Sequence, residues 1–381
     1  MALPILYTLS LLLHGLVAWR LLPALDPAWA AGLAPVLLAS ALLLPMGLLA
    51  HRVARGALAD RLAWVGLLCM GLFSSLLVLT ALRDVMLAAV WVAATLGWSP
   101  AQALLPGLRA DSAVLVPLAA LLVTVLGFWN ARRTARVVRV DVPVAALPDA
   151  LVGFTVAQIT DIHVGPTIKQ HYLQAIVRKV NALEADMVAI TGDLVDGKVH
   201  ELADHVAPLA QLRSRHGSFF VTGNHEYYSG AHAWMAELRR LGVRVLMNEH
   251  VVLQQNQAAV VLAGVADFHA DRFDPSHRSD PHAAIAGAPL DAGVRLLLAH
   301  QPRSAFEAAK AGFDVQLSGH THGGQFWPWN LFVPLQQPFT AGLRRLQDLW
   351  VYTSRGTGYW GPPKRFGAPS EITLLRLVAA R

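Results

Sequence analysis

Phe154-Thr155-Val156-Ala157-Gln158-Ile159-Thr160-Asp161-Ile162-His163 is a β-rich apolar run that ends in two polar side chains. The run to Thr160 reads as a buried strand. Asp161 and His163 follow it two residues apart, and in extended backbone such positions point the same way, so both can reach one ion. The design recurs downstream. Met187 to Thr191 leads into Gly192-Asp193, Phe219 to Thr222 into Gly223-Asn224-His225-Glu226, and Arg295 to Ala299 into His300. Val315 to Ser318 leads into Gly319-His320-Thr321-His322-Gly323-Gly324-Gln325, and Val260 to Val265 is a further strand. Helical stretches at 169–183, 199–213, 231–241 and 303–311 lie between several of them. Before them, Arg136 to Val142 forms a short β-rich run, and Pro143 and Pro148 punctuate a loop. The pattern predicts a layered α/β domain with covered sheet faces. Its polar clusters fall at the C-terminal ends of strands, the edge where such folds bind ligands.

Each cluster alone has an ordinary reading. Asp-x-His is common, Asp193 at a strand mouth serves as readily for a helix cap as for a ligand, and Asn224-His225 suits a turn. His300 after Leu296-Leu297-Leu298-Ala299 fits a satisfied core histidine, and Asp196 reads as structural. His320 and His322 between glycines are the least accidental, because glycine permits tight backbone and close approach.

Outward toward the N-terminus the chemistry changes. The chain has 381 residues, 55% of them hydrophobic, and a mean hydropathy of +0.44, too apolar for a soluble enzyme of this size. The first 129 residues carry ten charged side chains and no Lys or Glu, against 31 basic and 25 acidic residues in the whole chain. Charge-free stretches at 1–19, 27–50, 62–82 and 112–131 are each about long enough to cross roughly 30 Å of hydrocarbon, which predicts four transmembrane helices. The uncharged stretch 85–108, interrupted by Gly97, Pro100 and Pro106, follows Arg83-Asp84 too closely for a separate span and is expected to continue the helix or re-enter. Ala28-Trp29-Ala30 has the small-x-small form of a signal cleavage site, but no positive segment precedes it and more spans follow. With four spans, Arg52, Arg55, Arg61, Arg132, Arg133, Arg136 and Arg139 share one side against Arg20, Arg83 and Arg109 on the other. That bias places the C-terminal domain in the cytoplasm, and a fifth span would reverse it. The single cysteine, Cys69, cannot form an intramolecular disulfide. The basic cluster 132–139 suits anionic lipid head groups, and no basic stripe interleaved with aromatics argues for nucleic acid. The organisation read from this is a membrane domain at 1–131, a basic juxtamembrane linker with a first strand at 132–149, and an α/β domain at 150–381.

Taken in order, Asp-x-His, Gly-Asp, Gly-Asn-His-Glu, an isolated His and Gly-His-x-His resemble the calcineurin-like metallophosphoesterase superfamily, in particular its bacterial membrane-associated branch. The resemblance runs from about residue 150 to the end and includes Ser354-Arg355-Gly356-Thr357-Gly358 and Arg365-Phe366-Gly367-Ala368-Pro369-Ser370-Glu371-Ile372. It implies a layered α/β/β/α domain and two divalent metal ions. Asp161, His163 and His322 would hold the first ion, Asn224, His300 and His320 the second, and Asp193 would bridge them. Carboxylate, amide and imidazole ligands suit Mn, Fe or Zn, and the lack of thiolates argues against a structural zinc site at this centre. Four positive charges against the two carboxylates of Asp161 and Asp193 leave a centre that attracts phosphate. The resemblance further implies hydrolysis by a metal-bridging hydroxide, with His225 protonating the leaving oxygen or stabilising charge as imidazolium, in a protein of the bacterial inner membrane.

Glu226 is expected to support its loop by hydrogen bonding. Arg355, Tyr359 and Arg365 lie where an arginine either holds a substrate phosphate or pins the loop. Asp267, His269 and Asp271 match no ligand pattern and are left out of the site. Phe326-Trp327-Pro328-Trp329-Asn330-Leu331-Phe332-Val333-Pro334-Leu335 is either a flap packed on the core or an apolar rim for bilayer or an acyl chain. The expected substrate is a phosphodiester or lipid-linked phosphate. The alternative is a membrane sensor or scaffold that binds such a ligand without turnover.

Overall fold

Long runs of Leu, Ala and Val, broken by few charges, form the helices of one of the two units into which the computed structural model divides. That unit is Met1–Trp129 with Gly361–Phe366, and the other is Asn130–Trp360 with Gly367–Arg381. Residues 2–380 are described.

The first unit holds α1 (Ala2–Leu21), α2 (Pro27–Leu48), the single turn α3 (Ala50–Val53), α4 (Gly56–Thr95) and α5 (Ser99–Arg132). Among the described residues, four of these helices are long and apolar enough to cross a membrane. Asp26 caps α2 by accepting from Ala28 N and Trp29 N at 3.0 and 3.1 Å, which offsets donors that a helix start leaves unpaired. The stretch 85–108 neither re-enters nor spans separately. Its first part continues α4, the chain turns at Leu96-Gly97-Trp98 with Gly97 at a φ of 90°, and the rest opens α5. At 40 residues, α4 is about 60 Å long, roughly twice the hydrocarbon thickness. Two glycines let α2 and α4 cross closely, since a Cβ on Gly47 would lie 2.5 Å from Gly66 Cα.

Several buried polar groups in this unit are satisfied locally. Arg83 is buried and donates to Ser112 Oγ at 2.9 Å, Arg20 O at 3.2 Å and Arg109 O at 3.0 Å, while Arg20 grips Asp84 through two bonds of 2.8 and 3.0 Å. In the segment Gly361–Phe366, Lys364 Nζ donates to Gly71 O at 2.7 Å, Ser75 Oγ at 2.5 Å and Thr124 Oγ1 at 3.1 Å.

The second unit runs β1 (Arg136–Val144), β2 (Thr155–Ile159), α6 (Gln170–Asn181), β3 (Met187–Ile190), α7 (Val199–Val206), β4 (Ser218–Phe220), α8 (Asn224–Ser229), α9 (Ala231–Arg240) and β5 (Arg244–Val245). It continues with β6 (Glu249–Gln255), β7 (Ala258–Gly264), α10 (Pro281–Ile285), β8 (Val294–Leu298), α11 (Ala305–Lys310), β9 (Val315–Ser318), β10 (Gly342–Leu346), β11 (Leu349–Thr353) and β12 (Glu371–Ala379). Two six-stranded sheets form, ordered β1-β12-β2-β3-β4-β5 and β10-β11-β9-β8-β7-β6. Val156, Phe219, Leu262, Leu296, Leu317 and Leu375 fill the space between them. Ile176, Trp234 and Leu238 cover the outer face of the first sheet, against Ile159 and Ile190. Ala305, Ala308 and Phe313 cover that of the second, against Leu297 and Val351. The expected order of helix, sheet, sheet, helix follows.

Parallel pairing aligns the strand ends that matter. Ile159 pairs with Ile190 and Ile190 with Phe220 in the first sheet, and Leu298 pairs with Leu317 in the second. Buried Gln158 ties the two sheets at that edge, donating to Thr191 Oγ1 at 2.8 Å and Ser318 O at 3.0 Å. Two details depart from the sequence reading. Pro143 lies in β1, opposite Val378, because β1 is an edge strand where a missing N–H breaks no ladder. The helix predicted at 199–213 ends at Val206 and tightens into a 3₁₀ turn, Ala207–Gln211, at Pro208.

Candidate metal centre

Beyond β2, β3 and β9 the backbone turns sharply, and the turn aims the side chains. Asp161, His163, Asp193, His320 and His322 have φ between 49° and 71°, a left-handed conformation that L-residues avoid. Such strain persists where surrounding hydrogen bonds over-determine it. Asp161 N donates to Gly192 O at 3.0 Å and His163 N to Asp193 O at 3.1 Å. His320 N donates to both carboxylate oxygens of Asp161, at 2.9 and 3.0 Å. Close approach also requires glycine, since a Cβ on Gly319 would sit 2.1 Å from Asp161 Oδ2.

Among the described residues, three overlapping groups bring potential ligand atoms within 4.8 Å of one another: Asp161, His163 and His322; His163, Asp193 and His225; Asp193, His300 and His320. His322 Nε2 lies 3.4 Å from Asp161 Oδ1 and 3.0 Å from His163 Nε2. His320 Nδ1 lies 3.2 Å from His300 Nε2, whose own Nδ1 is engaged by Thr191 O at 2.8 Å. Asn224 belongs to this edge through its neighbours, because His225 N donates to Asp193 Oδ1 at 2.9 Å. Its Oδ1 is buried without a hydrogen-bond partner, the condition of a carbonyl oxygen reserved for a cation. The sequence candidates thus share one edge, and their mixed oxygen and nitrogen donors fit divalent d-block ions.

Electrostatics separates the roles of these groups. Burial would raise the Asp193 carboxyl, but the imidazoles of His300 and His225 override it and hold it well below the usual range. Burial and the neighbouring His300 charge push His320 down to about 3, which keeps it neutral, the form that ligates a metal. For His225 burial acts downward too, yet the Asp193 charge and a hydrogen bond to Asp196 raise it to about 9.

Asp196 was undervalued in the sequence. Its Oδ1 lies 3.0 Å from His163 Nδ1 and 2.6 Å from His225 Nδ1, so one carboxylate orients two imidazoles. The signal was its place three residues beyond Asp193, in the same strand-end loop. Glu226 acts as expected, accepting from Asp193 N, Leu194 N and Gly223 N at 3.0, 2.8 and 2.7 Å.

The calcineurin-like phosphoesterase family model matches residues 154–324. An uncharacterized metallophosphoesterase of Aquifex aeolicus is 32% identical over 220 residues, 57% of this chain and 82% of that protein. The chain belongs to the calcineurin-like phosphoesterases. Two vertebrate proteins named "Transmembrane protein with metallophosphoesterase domain" extend the likeness. The Bos taurus protein is 42% identical over 281 residues and the Danio rerio protein 38% over 275, each match covering 70% of this chain. The chain spans 63% of the length of those relatives.

Around the phosphoesterase centre the surface is aromatic. His225 meets the rings of Tyr228 and Trp360 at 5.2 and 5.7 Å. Trp360 is bound to the histidine-bearing loop, exchanging two hydrogen bonds with the Gln325 side chain at 2.7 and 2.8 Å. The segment 326–335 is an exposed rim: only Phe326 is buried at 7%, while Leu331, Phe332 and Leu335 are 62, 52 and 83% exposed. Arg355 and Arg365 follow the pinning reading. Arg355 pairs with Glu371 at 2.9 Å, and Arg365 is fully buried with its N–H on Gly127 O at 2.8 Å. Asp267 accepts from Gln301 at 3.0 Å and has a structural part.

Proposed function

We propose that this chain is a multi-pass membrane phosphoesterase that hydrolyses a phosphodiester or pyrophosphate, with two divalent ions at its centre. The observation that carries the reading is the position of Asp193 Oδ2, 3.2 Å from His300 Nε2 and 3.9 Å from both His163 Nε2 and His225 Nε2. One carboxylate oxygen then serves two neighbouring ligand groups. Asp161, His163 and His322 would hold one ion and Asn224, His300 and His320 the other, with Asp193 between them. When bound, such ions supply a water acidic enough to attack at neutral pH and positive charge for the phosphate oxygens.

The chain's own residues do the rest. Asp196 fixes His225 through Nδ1, which leaves Nε2 to give its proton to the departing oxygen. Asp196 orients His163 in the same way and so is a positioning residue. Glu226 ties the loop of Asp193 to that of Gly223, keeping the two clusters in register. Tyr228 and Trp360 flank the His225 ring and exclude water from it.

The exposed apolar rim supports a substrate with a lipid portion, and the arginine bias supports a catalytic domain on the cytoplasmic face of the plasma membrane. The domain assignment is a membrane domain at 1–131, a linker and first strand at 132–149 and a catalytic domain at 150–381, with Gly361–Phe366 held among the helices. The test is hydrolysis of an aryl phosphodiester and the matching monoester by the full chain in detergent with Mn. Metal-dependent turnover favouring the diester, with kcat/KM rising as an acyl chain is lengthened, is expected. Turnover of the monoester alone overturns the diester preference, and turnover of neither leaves a ligand-binding scaffold.

A further inference from the structure

A second gathering of ligand side chains lies outside the centre. His232 in the first turn of α9, and Asp274 and His277 in the loop between β7 and α10, bring potential ligand atoms within 4.8 Å of one another. Both imidazoles approach the same carboxylate oxygen: Asp274 Oδ2 is 2.9 Å from His232 Nε2 and 3.9 Å from His277 Nε2. Zinc bonds of about 2.0–2.2 Å place tetrahedral neighbours roughly 3.3–3.5 Å apart, which lies between those two separations. We propose that His232, Asp274 and His277 form a separate site for a divalent d-block ion, zinc before others, with water completing the coordination.

The two half-buried members of the triad are already oriented. His277 Nδ1 is engaged by Tyr227 Oη at 2.9 Å, which leaves Nε2 as the ligating nitrogen. Asp274 Oδ1 accepts from Ser276 N at 2.9 Å and Ser276 Oγ at 2.6 Å, so Oδ2 is the oxygen turned to the histidines. Such outer partners are what a metal ligand needs to hold its direction. His232 is 71% exposed, which leaves room for water. Two imidazoles and a single carboxylate suit zinc, whereas calcium takes six or more oxygens.

The ion would act as a clasp. It joins α9 to the loop that carries Phe273, whose ring lies 5.6 Å from both Tyr227 and Tyr228. Those tyrosines stand on α8, the helix that begins with Asn224 and His225. The clasp thereby holds the wall beside His225 without touching substrate.

The experiment uses full-length protein in detergent, stripped with a chelator and titrated with zinc alone. Wild-type protein is expected to bind one more zinc per chain than His232→Ala or Asp274→Asn, and the asparagine keeps an oxygen for the Ser276 bonds. Zinc is expected to protect the exposed Arg272 and Arg278 from trypsin in wild type and in neither variant. The comparison is a difference between proteins with the same catalytic ligands, so it stands whatever the main centre holds. Equal zinc content in wild type and both variants, or protection that persists in them, overturns the site.

Discussion

The two sheets of the phosphoesterase unit contribute unequally to one centre. The first supplies Asp161, Asp193, Asn224, His163 and His225, and with them both carboxylates and the proposed acid. The second supplies imidazoles alone, His300, His320 and His322. A parallel strand end is a neutral position in either sheet, so the asymmetry belongs to the turns that follow. In the first sheet these turns are braced by further carboxylates, Asp196 and Glu226, whereas His300 in the second leans on the backbone carbonyl Thr191 O. The first sheet therefore carries the charge of the site, and the second would complete the proposed coordination.

That division can be broken most directly by removing charge. Asp193→Ala is expected to lose both ions and all measurable hydrolysis, whereas His320→Ala keeps at least one ion per chain, both read by elemental analysis of protein prepared with Mn. Two ions in Asp193→Ala would end the bridging assignment. His225→Ala should retain full metal content and lose about 100- to 10,000-fold in kcat, the worth of a general acid, and unchanged turnover removes His225 from the mechanism. Asp196→Asn sharpens the comparison, since its loss strikes a bracing group alone. A fall of about 10- to 100-fold in activity or metal affinity is expected, with no such fall on replacing the exposed Leu290.

The smallest effect is in pH. His225 is raised from 6.5 to about 9, so in metal-free protein it adds stability that is complete below its unfolded value and is lost as pH rises through about 9. The Tm of chelator-treated wild type should decline across that window more than the Tm of His225→Gln. In the loaded enzyme bound cations repel the proton, and the alkaline limb of activity falls at or below that pH. A limb that persists in His225→Gln belongs to another group.

Much of this architecture could be read in the sequence because it is local. Met187-Val188-Ala189-Ile190 is too short and too uniformly apolar to be anything but a buried strand, and a polar pair after such a run marks the sheet edge. Long-range pairing left no such mark. β12 lies parallel to β1 across more than two hundred residues, and the β10–β11 hairpin mixes Arg344 and Arg345 into a half-exposed edge where alternation is weak. Pro143 was misread because its conformation suits a loop and an edge strand equally. Asp196 reads in the sequence only as structural, because its partners, His163 and His225, are distant in sequence and only the fold brings them to one carboxylate. Lys364 carries no local signal, because its partners Gly71, Ser75 and Thr124 lie more than two hundred residues away.

The left-handed backbone at Asp161, His163, Asp193, His320 and His322 has a consequence for how this protein can change. Each such residue costs about 1–2 kcal/mol relative to an ordinary conformation, a penalty that glycine escapes. A selection for thermal stability alone would therefore drift toward glycine at the very positions proposed to hold metal. Robust but inert descendants would follow, and a conserved fold with these five side chains erased would be the record of a lineage that kept the scaffold and gave up the chemistry.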